Sequence, residues 1–368
     1  MFKKLLKNTD YVVLGCVIFL FIIGVVGIYS AGYNSSVNND EYIKQIIWFA
    51  VMSVAMIVIW AIDYNIFDIG GYVLYILSTI MLVAVLFMPK IMGVKSWFNL
   101  GFFLYQPSEL MKIAYILVFS KMLTSFNDNS KKSKILKFVS CTITFLIPFT
   151  LIMLQPDFGT AVTFIVITIF MLFMNGIKYK YILIGIAACI ILVPVIYFFG
   201  LSQYQQDRIQ VFLHPDIDPL VSGYNAIQSR LAVGSGMIFG TGLLKGTQTQ
   251  YGYLPIKSSD FIFSVLSEEL GFVASAAIVI VFVVLIIRMI KIASTAKDAY
   301  ARFVVIGIAG MFFFHFVQNV GMTIGLLPIT GVPLPFVSYG GSNLMTNCIA
   351  IAIVLNISAR KSNSIFAD

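Results

Sequence analysis

Charge is what this sequence has least of. Of 368 residues only 11% are Asp, Glu, Lys or Arg, while 60% are hydrophobic; a soluble protein of this size carries roughly 25% charged residues. That shortage excludes an ordinary soluble fold. Cysteine is scarce too: Cys16, Cys141, Cys189 and Cys348 all stand in apolar runs without CxxC spacing, and so read as packing residues. Two histidines, His214 and His315, are too few and too far apart for a histidine-based metal centre. No Walker A sequence occurs, which argues against ATP-driven transport. The first apolar run lacks a clear small-x-small cleavage site and reads as a span rather than a signal peptide. No internal repeat is obvious, which weakens an inverted-repeat transporter.

What is present is a series of long apolar runs, near 11–30, 43–62, 69–88, 107–124, 136–154, 160–175, 181–200, 262–287, 301–327 and 341–358. A span needs about 20 residues, so the expectation is an all-α integral membrane protein of about ten transmembrane helices. It forms a single polytopic membrane domain over 1–368. Lysine and arginine set the orientation. With the N-terminus inside, sixteen of the 24 fall in inner loops, seven in outer loops, and Lys112 within a span. Both termini are therefore expected in the cytoplasm. The net charge of +8 is mostly this topology, with some attraction to anionic membrane lipids, and does not indicate nucleic-acid binding. The longest loop, 201–260, lies outside between spans 7 and 8; it carries Arg208, Arg230 and a glycine-rich run, VGSGMIFGTGLLKGTQTQYG. Two further outer loops are notable: 89–106, with Trp97, and the Pro/Gly-rich PITGVPLPFVSYGG. Three such loops on one face predict an active face outside the membrane.

The polar residues cluster at that face. In QPSELMK, Pro107 suits a first helical turn, and Glu109 and Lys112 stand three apart on one helix face. The plain reading is a helix start with a local ion pair. The functional reading is that Lys112, an ionisable group within a span, binds a diphosphate. In QPDFGTA, Asp157 reads first as a helix cap, with a binding role for Gln155 and Asp157 at the rim as the alternative. Asp260, in KSSDFIFSVLSEELGF, stands where the long polar loop meets an apolar run. It is either an N-cap or a partly desolvated carboxylate suited to act as a general base. In one continuous helix Glu268 would lie about 80° round and roughly 12 Å deeper, with Glu269 on the opposite face and paired inside the bundle. The segment NVGMTIGLLPITGVPLPFVSYGGSN predicts a broken or re-entrant element lining a cavity.

Together QPSELMKIA, QPDFGTA, DRIQVFLHPDIDPLVSGYNAIQSRLAVGSG, GTQTQYGYLP, SSDFIFSVLSEELGF and NVGMTIGLLPITGVPLPFVSYGGS resemble the SEDS family (shape, elongation, division and sporulation). These are bacterial membrane glycosyltransferases typified by RodA, FtsW and SpoVE, and the GTQTQ wording is more similar to the RodA branch. The resemblance spans nearly the whole chain. It implies polymerisation of lipid II, the undecaprenyl-pyrophosphate-linked disaccharide-pentapeptide, into glycan strands outside the cytoplasmic membrane. It implies work beside a class B penicillin-binding protein transpeptidase within the elongation machinery. It also implies that Asp260 is the essential acidic residue. The chain departs from the family at PIKSSDFIF, where Ile256, Lys257 and Ser258 replace a Glu-x-His. The site residues expected on this basis are Asp260 as catalytic base, with Lys112, Glu109, Arg208, Arg230, Trp97, Gln155 and Asp157 contacting substrate. A divalent cation, Mg²⁺ or Mn²⁺, would suit the diphosphate, although the sequence establishes none. The rival readings are a lipid II flippase and a non-catalytic scaffold for the transpeptidase. Clustering of the polar residues at the outer side favours chemistry there.

Overall fold

Inside a bilayer an unpaired amide finds no water, so apolar runs must close their own hydrogen bonds as helices. The computed structural model describes residues 2–34, 40–90, 93–101, 103–125, 131–176, 180, 206 and 223–360. Its elements are α1 (Phe2–Asn8), α2 (Tyr11–Tyr33), α3 (Glu41–Ala61), α4 (Ile66–Val85), the two-residue strands β1 (Phe98–Asn99) and β2 (Leu104–Tyr105), and α5 (Pro107–Thr124). They continue with α6 (Lys131–Leu154), α7 (Phe158–Met174), α8 (Tyr224–Ser235), α9 (Thr247–Gln250), α10 (Ile262–Ser294), α11 (Ala299–Thr323) and α12 (Gly341–Ala359). Seven of the described helices are long and apolar enough to cross a membrane: α2, α3, α4, most of α6, α10, α11 and α12. The helices α5 and α7 cover two further expected runs; α5 carries three charges, Glu109, Lys112 and Lys121, and α7 is short. The expected run at 181–200 lies outside the described residues, as does Cys189. The other three cysteines are buried and free.

The bundle has a centre and a rim. Buried residues make up 89% of the apolar window of α12 and 78% of that of α11, against 17% in α4 and α6. Side chains such as Val54, Ile57, Ile69 and Ile76 face outward, where lipid would cover them. Helices α5, α11 and α12 are the shelter in which polar side chains can persist.

One end of the bundle is fastened by caps. Asp10 accepts from Val12 and Val13 at the start of α2 and pairs with Arg288 of α10 at 2.7 Å. Asp298 caps α11 through Ala301 N and takes the hydroxyl of Tyr64. Asn356 donates to the carbonyls of Ile59, Trp60 and Ile62, tying α12 to the last turn of α3. Helix α1 packs against this end of α12, with Ser358 Oγ donating to Asn8 O.

Helix α10 departs from the expected unbroken helix. At Gly271 the backbone turns to φ 75°, ψ −170°, and the helical ladder is interrupted. The glycine-rich loop repairs it. Thr241 N and Gly242 N donate to Glu268 O and Glu269 O, while Phe272 N and Val273 N donate to Met237 O and Ile238 O. Such contact demands backbone against backbone: a Cβ at Gly240 would stand 2.1 Å from Glu269 O, and one at Gly271 2.2 Å from Gly240 N. Both have φ near +80°, a region L-residues enter at a cost of about 1–2 kcal/mol.

Gly240→Ala and Gly271→Ala are therefore expected to lower stability by more than about 2 kcal/mol. Gly234→Ala, in α8 with nothing within 4 Å of its Cβ position, should be neutral or stabilising by up to about 1 kcal/mol. Unfolding midpoints in a mild detergent check this; equal effects at all three positions would contradict the splice.

Candidate active site

Asp260 ends a strap of chain whose carbonyls are held one after another. Ser258 O accepts from Tyr339 N at 2.9 Å, Ser259 O from Ser338 Oγ at 2.6 Å, and Asp260 O from Asn319 Nδ2 at 3.0 Å. The same Asn319 amide also donates to Val332 O at 2.9 Å, and Gln45 donates to Ser338 O. The irregular segment 325–340 is thus spliced to the strap, as its prolines and glycines led us to expect. The Asp260 carboxylate is half-buried and lies against Gly331, whose Cβ position is 3.3 Å from Oδ2. Four residues earlier Ile256 sits at φ 49°, a strained conformation for a β-branched residue. Helix α10 begins at Ile262 with Phe261 in the N-cap position.

Beneath Asp260 runs a polar column. His315 precedes Asn319 by four residues on α11, so the two share a face about 6 Å apart along the axis. Lys112 Nζ contacts His315 Nε2 at 3.1 Å and Glu109 Oε1 at 2.8 Å, the ion pair that the i,i+3 spacing predicts. Lys112 is only 1% exposed. Its Nζ is occupied within the protein. Beside the column, Gln106 Nε2 donates to Asp157 Oδ2 at 3.0 Å, and Asp157 caps α7 through Thr160 N and Oγ1. Gly159 meets Thr330 and Val332, so this turn abuts the loop that touches Asp260.

The remaining expected residues are more scattered. Gln155 is fully buried and donates to Leu82 O at the end of α4. Trp97 is half-buried just before β1, and Phe103 of the loop that joins β1 to β2 packs on Trp48. Arg230 is exposed on α8, its guanidinium lying over Gly325 just past α11. Arg208 lies outside the described residues.

Glu268 and Glu269 have a different task from Asp260. Glu268 accepts from Gln248 N, Thr249 N, Thr249 Oγ1 and Thr247 Oγ1. Glu269 accepts from Ser30 Oγ, Gln250 Nε2 and Leu244 N. Both are buried, and they grip the GTQTQ turn from within. The expected internal pairing of Glu269 is made to neutral hydrogen-bond donors.

His315, Asn319, Gln106 and Ser338 were not singled out from the sequence. The available signal was His315 and Asn319 four apart in an apolar span. Glu109 Oε2, His315 Nδ1, Asn319 Oδ1 and Thr330 Oγ1 are buried without a hydrogen-bond partner. Each such atom costs about 1–3 kcal/mol, so the column and the loop beside it stay polar at a cost in stability. Among the described residues no three His, Cys, Asp or Glu side chains converge as a metal cluster.

Breaking a buried ion pair on one side costs about 3–5 kcal/mol, whereas removing both partners costs far less. Lys112→Met should thus destabilise more than Lys112→Met combined with Glu109→Gln, by the same unfolding assay. Simple additivity would show that the two charges do not depend on each other.

A family of cell cycle proteins, FtsW/RodA/SpoVE, matches residues 10–363. Peptidoglycan glycosyltransferase RodA of Treponema pallidum is 33% identical over 96% of this chain and 98% of its own. Peptidoglycan glycosyltransferase MrdB of Escherichia coli K12 is 36% identical over 92% of this chain and 90% of its own. A solved structure described as the structural coordination of polymerization and crosslinking by a peptidoglycan synthase complex superposes with a TM-score of 0.81 at 26% identity. It covers 95% of this chain and 97% of that one. With nearly its whole length matched, the chain belongs to the FtsW/RodA/SpoVE family and is RodA-like.

Proposed function

We infer that this protein is a peptidoglycan glycosyltransferase that polymerises lipid II, with Asp260 as its general base. The observation that carries the inference is the half-buried Asp260 carboxylate at the meeting of three loops. It stands above a buried Glu109–Lys112–His315 column, in which Glu109 Oε2 and His315 Nδ1 are themselves without partners. The named relatives catalyse peptidoglycan glycosyl transfer, and the same chemistry suits this geometry.

In the proposed step, Asp260 takes the proton of the acceptor N-acetylglucosamine 4-hydroxyl as its oxygen bonds to C1 of the donor N-acetylmuramic acid. The C1–O bond to undecaprenyl-pyrophosphate breaks and its electron pair leaves on the diphosphate. An α-linkage becomes β in one displacement, and the transition state has oxocarbenium character. Diphosphate is a good leaving group that needs cations rather than an acid. Arg230 and Arg208 are proposed to supply direct contacts, and Lys112 positive potential from below. Trp97 and Asp157 complete the proposed substrate walls; Gln155, fully buried on Leu82 O, supports the turn before Asp157 instead of touching substrate. A divalent cation, Mg²⁺ or Mn²⁺, would arrive with the diphosphate and supply positive charge to the leaving group, since the described residues include no cluster of three His, Cys, Asp or Glu to hold it.

The same proposal sets the ten-span topology with both ends in the cytoplasm and Asp260 at the extracytoplasmic face of the bacterial cytoplasmic membrane. The lysine and arginine distribution supports that orientation. The fold it shares with a chain from a synthase complex supports a class B penicillin-binding protein as partner.

Purified with that partner, its transpeptidase site disabled, the protein should convert lipid II into long strands. Asp260→Asn should lose about 10²–10⁴-fold in rate, the range for removing a general base. A folded Asp260→Asn that polymerises normally would remove Asp260 from the mechanism. Strands from neither protein would move the function to a flippase or scaffold. EDTA should suppress the rate and added Mg²⁺ or Mn²⁺ restore it; an unchanged rate would remove the cation.

A further inference from the structure

A cavity of about 360 Å³ adjoins the strap on the side of α2 and α3. Its walls include Asn34 after α2, Glu41 at the start of α3, Gln250 and Tyr251 of the α9 turn, and Lys257 and Ser258 of the strap. Ser258 stands two residues before Asp260, and extended chain spans at most about 3.6 Å per residue. The cavity wall therefore comes within about 7 Å of the Asp260 backbone.

The wall is held rigid from behind. Gln250 Nε2 donates to Ser30 O, Ser30 Oγ and Glu269 Oε1 at 2.8–3.2 Å. Lys257 Nζ donates to Thr249 O at 2.9 Å, and Thr249 is itself gripped by Glu268. The acidic pair buried behind α9 thereby sets the shape of the cavity.

Its chemistry points away from the diphosphate. One carboxylate and one ammonium balance, whereas a diphosphate needs an excess of cations. Glu41 Oε2 is buried without a partner, and the broad terminal torsion of Glu allows that oxygen to turn to a donor in the cavity. Lys257 has three N–H donors, one of them on Thr249. Burial pulls its pKa below the ordinary lysine value, with Glu269 and Glu41 opposing, so an acceptor from a ligand would replace lost solvation. Tyr251 is 75% exposed and offers an apolar ring face. Donors, acceptors and one aromatic face without net charge are complementary to a sugar ring, whose hydroxyls do both and whose C–H face is apolar.

We propose that this cavity is a saccharide subsite, holding an N-acetylated sugar ring of the polymerisation substrates beside the reacting bond rather than at it. The proposal rests on the polymerase reading. Its test uses the full-length Asp260→Asn protein, to prevent turnover, and two probes: a lipid-free tetrasaccharide of the glycan strand, and lipid II in micelles. Tyr251→Ala and Lys257→Met should each weaken binding about tenfold, the effect of one or two lost contacts. Weakened binding of both probes assigns the ring to the glycan strand; weakened binding of lipid II alone assigns it to the lipid-linked substrate. Unchanged affinity for both probes, or no binding of either before the second substitution, overturns the proposal. A wild-type protein that binds through the cavity yet makes no strands would instead sink the polymerase reading and leave the saccharide site standing.

Discussion

A helix broken inside a bundle must find partners for the backbone groups it releases, and here those partners come from a loop 27 to 35 residues earlier. The carbonyls of Glu268 and Glu269 go to Thr241 and Gly242, and the amides of Phe272 and Val273 go to Met237 and Ile238. The side chains of the same two glutamates hold the GTQTQ turn. Backbone and side chain act together, so the glycine-rich loop becomes a wall of the bundle. The strap that leads to Asp260 leaves from that wall, through Lys257 on Thr249.

The second constraint is shelter. A buried Lys112 with Glu109 and His315 would be prohibitive on a lipid-facing helix, and it stands instead on α5 and α11 in the centre of the bundle. Asn319, one turn from His315, transmits that fixed centre upward by holding both Asp260 O and Val332 O. A carboxylate proposed as a general base needs to be held in position and yet remain reachable. In this site the backbone is held while the carboxylate stays half-buried.

Much of this was legible in the sequence. The apolar runs located the described membrane helices, the i,i+3 spacing anticipated the Glu109–Lys112 pair, and Asp157 caps its helix as a short polar residue before an apolar run should. What escaped was long-range. Nothing local says that Gly271 breaks α10, because a lone glycine in an apolar run more often stays helical; the reason lies in the close approach of Gly240. The roles of Glu268 and Glu269 depended on the same loop, and so were invisible to an argument from helical angles. His315 was judged only as a metal ligand, and its partner Lys112 is 203 positions away.

The most direct test of this account is hydrogen exchange at the amides of Thr241, Gly242, Phe272 and Val273 in lipid nanodiscs, comparing wild type with Glu268→Gln/Glu269→Gln. Hydrogen bonds to charged groups contribute about 1.5–3 kcal/mol each. The account predicts protected amides in the wild type and exchange faster by at least about tenfold in the variant, spreading to the strap before Asp260. Equal protection in both proteins would contradict it, and would show that the loop holds its place without the buried acidic pair.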